Sequence, residues 1–165
     1  ASPIEDADKL ETYIRYRYDR AASFHAGEYA EIAALLQWET RQVNAQWGRD
    51  FDVLLTPTTA VPTPLVGSVY DEANNDPAGE RLTEFSTISF TAFCNIAGLP
   101  AISLPVHTGA NGMPLGAQLV GAPYDEATLL RVGAELEPVF DWQHRQAPLA
   151  RGAALAGNAT RVTGD

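Results

Sequence analysis

The stretch from Gly98 to Gly121 restricts the fold more than any other. Gly98 and Pro100 close whatever precedes them, Ala101 to His107 reads as a strand, and Leu115 to Gly121 reads as a second. Between them lies Asn111-Gly112, the strongest short-range hairpin signal, because both residues accept the positive φ that tight turns need. Two apolar strands joined in this way are antiparallel neighbours. A lone hairpin is marginal in water, so other parts of the chain must cover it.

The covering elements can be read in order. Leu10, Tyr13, Ile14 and Tyr18 recur at helical spacing and predict a helix over 6–20. A longer helix is predicted over 27–47, where Tyr29, Ile32, Leu35, Leu36, Val43 and Trp47 form a stripe expected to pack on the body of the protein. Phe51 to Leu55 reads as a short buried strand stopped by Pro57. Residues 56–84 carry Pro57, Pro62, Pro64, Pro77 and the run Asn74-Asn75-Asp76-Pro77, and are expected to form a long irregular loop of the kind that serves binding or acts as a lid. Phe85 to Ala97 reads as one apolar helix. The final helix starts at Asp125, an N-cap followed by the acidic Glu126, with Tyr124 expected to staple onto Leu129. Leu129, Val132, Gly133 and Leu136 should face the core, and Pro138 is expected to end the helix near Glu137. After Pro148 the composition turns to Ala, Gly and Arg. The chain therefore divides into a folded segment, 1–148, and an expected flexible tail, 149–165.

Composition excludes several classes of function. With 45% hydrophobic and 19% charged residues the chain is globular rather than disordered. A formal net charge of -10 repels phosphate backbones and anionic lipid, so neither nucleic acid nor a membrane is an expected partner. No apolar run approaches the roughly 20 residues that cross a bilayer, and no basic-then-apolar leader opens the sequence, so a cytoplasmic setting is the default expectation. Cys94 is the single cysteine, which rules out an intrachain disulfide and reads first as a small buried hydrophobe.

The usual catalytic toolkits are missing. There is no Gly-x-Ser-x-Gly elbow, and His25, His107 and His144 are scattered rather than paired at metal-ligand spacing. No phosphate-cradling loop of the Walker type is present, and acidic pairs such as Asp71-Glu72 and Asp125-Glu126 read as a solvated loop and a helix start. No metal and no cofactor are expected.

Several pieces nevertheless line up with one family. Asp52-Val53-Leu54-Leu55-Thr56-Pro57-Thr58, Phe90-Thr91-Ala92-Phe93-Cys94-Asn95, Gly98-Leu99-Pro100-Ala101, Gly112 to Gly121 and Asp125-Glu126-Ala127-Thr128-Leu129-Leu130 resemble, in order, the closing segment of the amidase signature enzymes. The resemblance covers about Gly27 to Pro148. It implies an α/β fold in which this chain supplies part of a mixed β-sheet flanked by helices. It also implies hydrolysis of the C–N bond of a small or linear amide by a Ser-Ser-Lys arrangement that the family carries in an N-terminal Gly/Ser-rich block. This chain has no such block, and Lys9, its one lysine, lies on a polar stretch beside Asp6 and Asp8 rather than in the tightly packed, desolvated setting that the family's lysine needs. No catalytic residue is therefore assigned here, and the chain alone is expected to be inactive.

By the same resemblance the loop after the first strand borders the substrate channel. Thr56, Thr58 and Thr59 become candidate pocket hydroxyls, with a plain turn-forming role as the alternative, and Cys94 and Asn95 approach the same pocket. The segment from Val61 to Glu84 would shape substrate preference. The expected partners are a small amide and whatever covers the open strand edges: an N-terminal amidase half, a second chain, or another copy. A glutamine-dependent amidotransferase subunit, or a non-catalytic piece acting in assembly, remain the alternative functions.

Overall fold

The structure is a computed structural model that describes residues 7–141. The expected tail over 149–165 and His144 lie outside the described residues.

A 3-10 turn at Ala7–Lys9 leads into α1 (Thr12–Ala21) and α2 (Ala26–Asn44). Then follow β1 (Leu54–Pro57), α3 (Ser68–Asn75), α4 (Leu82–Ile88), α5 (Ala92–Ala97), β2 (Ala101–Thr108), β3 (Pro114–Val120) and α6 (Glu126–Phe140). The three strands form one sheet in the order β1-β3-β2, with both pairings antiparallel. The α/β class is as expected. The sheet within the described residues is small and wholly antiparallel, and β1 and β2 are its edges.

The antiparallel hairpin forms around Asn111-Gly112 as expected, but through a five-residue loop, 109–113, in which Gly112 and not Asn111 takes the positive φ. Gly112 has φ of +78°, Gly109 N–H donates to the Met113 carbonyl at 2.8 Å, and Asn111 Oδ1 accepts from Met113 N–H at 3.1 Å. Counting back from this turn would pair Ser103 with Leu119 and Leu104 with Gln118. A bulge between Pro105 and His107 shifts the register by one, so that Ser103 pairs with Gln118, Leu104 with Ala117 and Ile102 with Leu119. The extra residue thus sets polar against polar and apolar against apolar on each face. Pro105, which has no N–H to offer a ladder, sits where the ladder is already interrupted.

Each face of the sheet has its own core. On one, Leu104, Leu119 and Leu129 are buried, with Val53, Ile102, Val106, Val132 and Leu136 packed around them. Helix α6 covers this face, and Gly133 lets it come close: a Cβ there would lie 3.4 Å from Ile102 Cδ1. On the other face Trp47, Cys94, Leu99 and the fully buried Val120 form a second cluster with Val43, Phe51, Leu54 and Phe93. Trp47 lies beyond the end of α2 and anchors here by donating from Nε1 to the Val120 carbonyl at 3.2 Å, with Phe51 edge-on at 4.9 Å.

Several expectations are corrected. The 56–84 loop contains α3 and the first turn of α4. Glu72 of α3 accepts from Leu82 N–H at 3.1 Å and Thr83 N–H at 3.0 Å, so its carboxylate caps α4 from ten residues away, a long-range cap that no local pattern signals. The single helix over 85–97 is two. Ser89 Oγ donates to the Phe85 carbonyl at 2.6 Å and Thr91 Oγ1 to the Ile88 carbonyl at 3.2 Å, so hydroxyls take over carbonyls that a continuous helix would use. Helix α6 runs through Pro138 to Phe140, because so near the C-terminus the proline forfeits only a last-turn bond, and Asp141 closes the helix at φ +49°. Tyr124 is 95% exposed at φ +65° and staples nothing; Leu129 packs instead under Gly121, where a Cβ would come within 3.1 Å of Leu129 Cγ. Finally, the apolar stripe of α2 packs only at its C-terminal end. Tyr29, Ile32, Leu35 and Leu36 remain exposed, with Leu36 at the rim of an open cleft it shares with Ile96 of α5.

Candidate functional site

The sheet face opposite α6 changes character along its length. At the Val120 end it is apolar and covered by the end of α2 and by α5. Two residues back along β3, Gln118 is buried at 4% exposure, and its Nε2 donates to the Phe90 carbonyl at 2.6 Å and to Thr56 Oγ1 at 3.2 Å. Phe90 lies in the break between α4 and α5, so the interruption that the hydroxyls create is also what presents a free carbonyl to the sheet. Thr56 Oγ1 in turn donates to the Pro57 carbonyl at 2.9 Å.

Two further residues back is Gly116. Thr58 on one side and Ser103 on the other approach each other across it, their hydroxyl oxygens 2.7 Å apart. A Cβ at Gly116 would lie 2.6 Å from Thr58 Oγ1 and 2.9 Å from Ser103 Oγ, so glycine is what allows the two to meet. A single hydrogen bond joins the pair and uses one of its two O–H groups. The remaining donor and the oxygen lone pairs are available to a polar, uncharged group. Such an array can bind and orient an amide, but it contains no base to activate a nucleophile.

The five residues singled out from the sequence fall into separate places. Thr56 and Thr58 are brought together on this face. Thr59 is exposed and its hydroxyl donates to the Val61 carbonyl at 2.9 Å, a turn contact. Cys94 is buried against Trp47, Leu99 and Val120, and burial pushes its thiol above the ordinary value. Asn95 is exposed on α5. Gln118, Ser103 and Gly116 were not singled out. Their role depends on cross-strand register, and the bulge makes that register one residue different from the count given by the turn.

His25 lies at the N-terminus of α2, where its backbone N–H donates to Glu28 Oε2 at 2.8 Å. His107 is exposed on β2, and Lys9 is exposed on the 3-10 turn. Among the described residues no group of three or more His, Cys, Asp or Glu side chains could hold a metal ion. None of the described helices is long and apolar enough to cross a membrane.

A small sheet flanked by helices, with the Leu-Leu-Thr-Pro-Thr strand at its edge, agrees with the α/β class that the family resemblance implies. A model of the amidase family matches residues 6–130, and the chain belongs to that family. Among curated proteins it is 39% identical over 118 residues to the A subunit of the glutamyl-tRNA(Gln) amidotransferase from Chloroflexus aggregans, a match over 67% of this chain and 22% of that protein. The subunit of the same name from Bacillus thuringiensis is 40% identical over 100 residues, covering 61% of this chain and 19% of the relative. Among solved structures, a 6-aminohexanoate cyclic dimer hydrolase superposes with a TM-score of 0.76 at 28% identity, over 90% of this chain and 31% of that one. The chain thus spans about a fifth to a third of the length of these relatives.

Proposed function

We propose that this chain is the C-terminal portion of an amidase that hydrolyses the C–N bond of a small or linear amide. In this reading the Ser-Ser-Lys machinery lies upstream, and the chain contributes sheet and pocket wall but no reacting group. The observation that carries the reading is the Thr58–Ser103 hydroxyl pair held over Gly116, beside Thr56 and the buried Gln118, in a chain of this family. A neutral array of donors and acceptors suits an uncharged amide, which a cationic or anionic wall would desolvate without return. Thr56 and Thr58 are the substrate-facing residues. Thr59, Cys94 and Asn95 act through the shape of the turn and of α5.

The edges of the sheet support the need for a partner. Among the described residues β1 and β2 are each paired on one side only, and Leu55 of β1 is 65% exposed. An upstream amidase half, or failing that a second copy, would complete them. The test compares the isolated 165-residue chain with the complete gene product on aliphatic, aromatic and glutamine amides. Turnover is expected only from the complete protein; turnover by the chain alone that disappears in Lys9→Ala would overturn the proposal.

A second reading, a glutamine-dependent amidotransferase subunit, is favoured by the identity to the two amidotransferase subunits. It is supported if the complete protein releases ammonia from glutamine in preference to other amides. The net charge of -10 argues against this segment itself touching tRNA. A role confined to assembly stands if the complete protein hydrolyses none of these amides.

A further inference from the structure

A cavity of about 550 Å³ opens between α1 and the segment running from Pro77 to Phe85. Its lining holds three arginines, Arg17, Arg20 and Arg81, and not one aspartate or glutamate. That concentration is notable in a chain with 21 acidic and 11 basic residues. The walls are braced: Tyr13 N–H donates to Asn74 Oδ1 at 2.9 Å, tying α1 to α3, and Glu72 ties α3 to α4.

The three cations are not equivalent. Arg81 is neutralised, its Nη1 donating to Glu84 Oε2 at 2.6 Å while its guanidinium sits 4.9 Å and 4.8 Å from the Tyr13 and Phe85 ring centroids. Arg17 and Arg20 donate instead to the hydroxyls of Tyr13 at 2.9 Å and Tyr16 at 3.2 Å. Among the described residues neither makes an ion pair, and Asp19, the carboxylate within α1, is held by Arg15. Three residues apart on one helix, they share a face. A guanidinium has five N–H donors in a planar fork, so one tyrosine bond apiece leaves most of each fork open. Phe24, whose ring lies 5.8 Å from the Arg20 guanidinium, adds apolar surface beside the charge.

We propose that this cavity binds a small aromatic carboxylate. The carboxylate accepts from Arg17 and Arg20, and the ring packs against Tyr16, Phe24 and Phe85. Planar forks match a carboxylate bidentately, and the volume falls within the range of small-ligand sites. A long polyanion is disfavoured, because the acidic surface outside the cavity repels it.

Isothermal titration calorimetry of the full 165-residue chain with phenylacetate tests this, with 2-phenylethanol as the uncharged counterpart and acetate as the head group alone. Saturable binding of one phenylacetate is expected, with both controls at least about tenfold weaker. Arg17→Gln with Arg20→Gln should weaken phenylacetate by at least about tenfold, and Phe24→Ala by about threefold or more. Should the double variant lose its helical signal, Arg20→Gln alone and the dependence on salt decide instead. Absence of saturable binding below about 10 mM, equal binding of 2-phenylethanol, or an affinity indifferent to ionic strength and to Arg20→Gln would each overturn the proposal.

Discussion

At the residue scale, the Thr58–Ser103 pair and Thr56 make different demands on the protein. Thr58 meets an exposed serine, so on the proposed reading Thr58→Val in the complete gene product should raise KM for an amide by about three- to tenfold with little change in melting temperature. Thr56 accepts from the buried Gln118, and Thr56→Val should in addition cost about 1–2 kcal/mol of stability, because it removes one of that amide's two partners. Chemical denaturation alongside kinetics separates the two cases; equal stability losses would remove the distinction. Gly116→Ala puts a methyl into the space the hydroxyls occupy and should cost about 1–3 kcal/mol. Cys94 provides a pH test. Burial raises its pKa above the ordinary value of 9.0, so the folded chain keeps the neutral thiol while the unfolded chain ionises. Its contribution is therefore complete below about pH 9 and is lost as pH climbs through the higher folded value. Stability should fall over that alkaline window in the native chain, and fall less steeply in Cys94→Ala. The thiol's burial follows from its apolar neighbours in sequence, whereas the partners of Thr58 and Gln118 come from other strands.

At the element scale, what succeeded was local. The hairpin around Asn111-Gly112, the Asp125 cap and the stripe of Leu129, Val132, Gly133 and Leu136 are each set by a few adjacent residues, and each forms as expected. Asp125 Oδ1 accepts from Thr128 N–H at 3.3 Å, and Asp125→Ala should cost about 1 kcal/mol, read as a lowered midpoint for unfolding. What failed depended on distant atoms. α3 exists inside a proline-rich stretch because Glu72 and Asn74 bond to α4 and α1, and α4 ends where hydroxyls claim its carbonyls. The bulge at Pro105–His107 belongs with these: nothing in the strand's own alternation announces it, yet it decides which residues share the polar face.

At the scale of the whole molecule, the described residues leave two strand edges and much of the α2 stripe open. The isolated chain is therefore expected to self-associate at micromolar concentration in sedimentation experiments, and Leu55→Lys should reduce that association by placing a charge on the β1 edge. A strictly monomeric chain would count against the need for a covering partner. The order of elements, the family and the hairpin all follow from residues near one another in the chain, since turn chemistry and hydrophobic periodicity act over a few positions. The meeting of Thr58 with Ser103, the burial of Gln118 and the arginine-lined cavity do not. They join positions that lie far apart in the chain, and such contacts arise only once packing has fixed the register of the strands and the angles between helices.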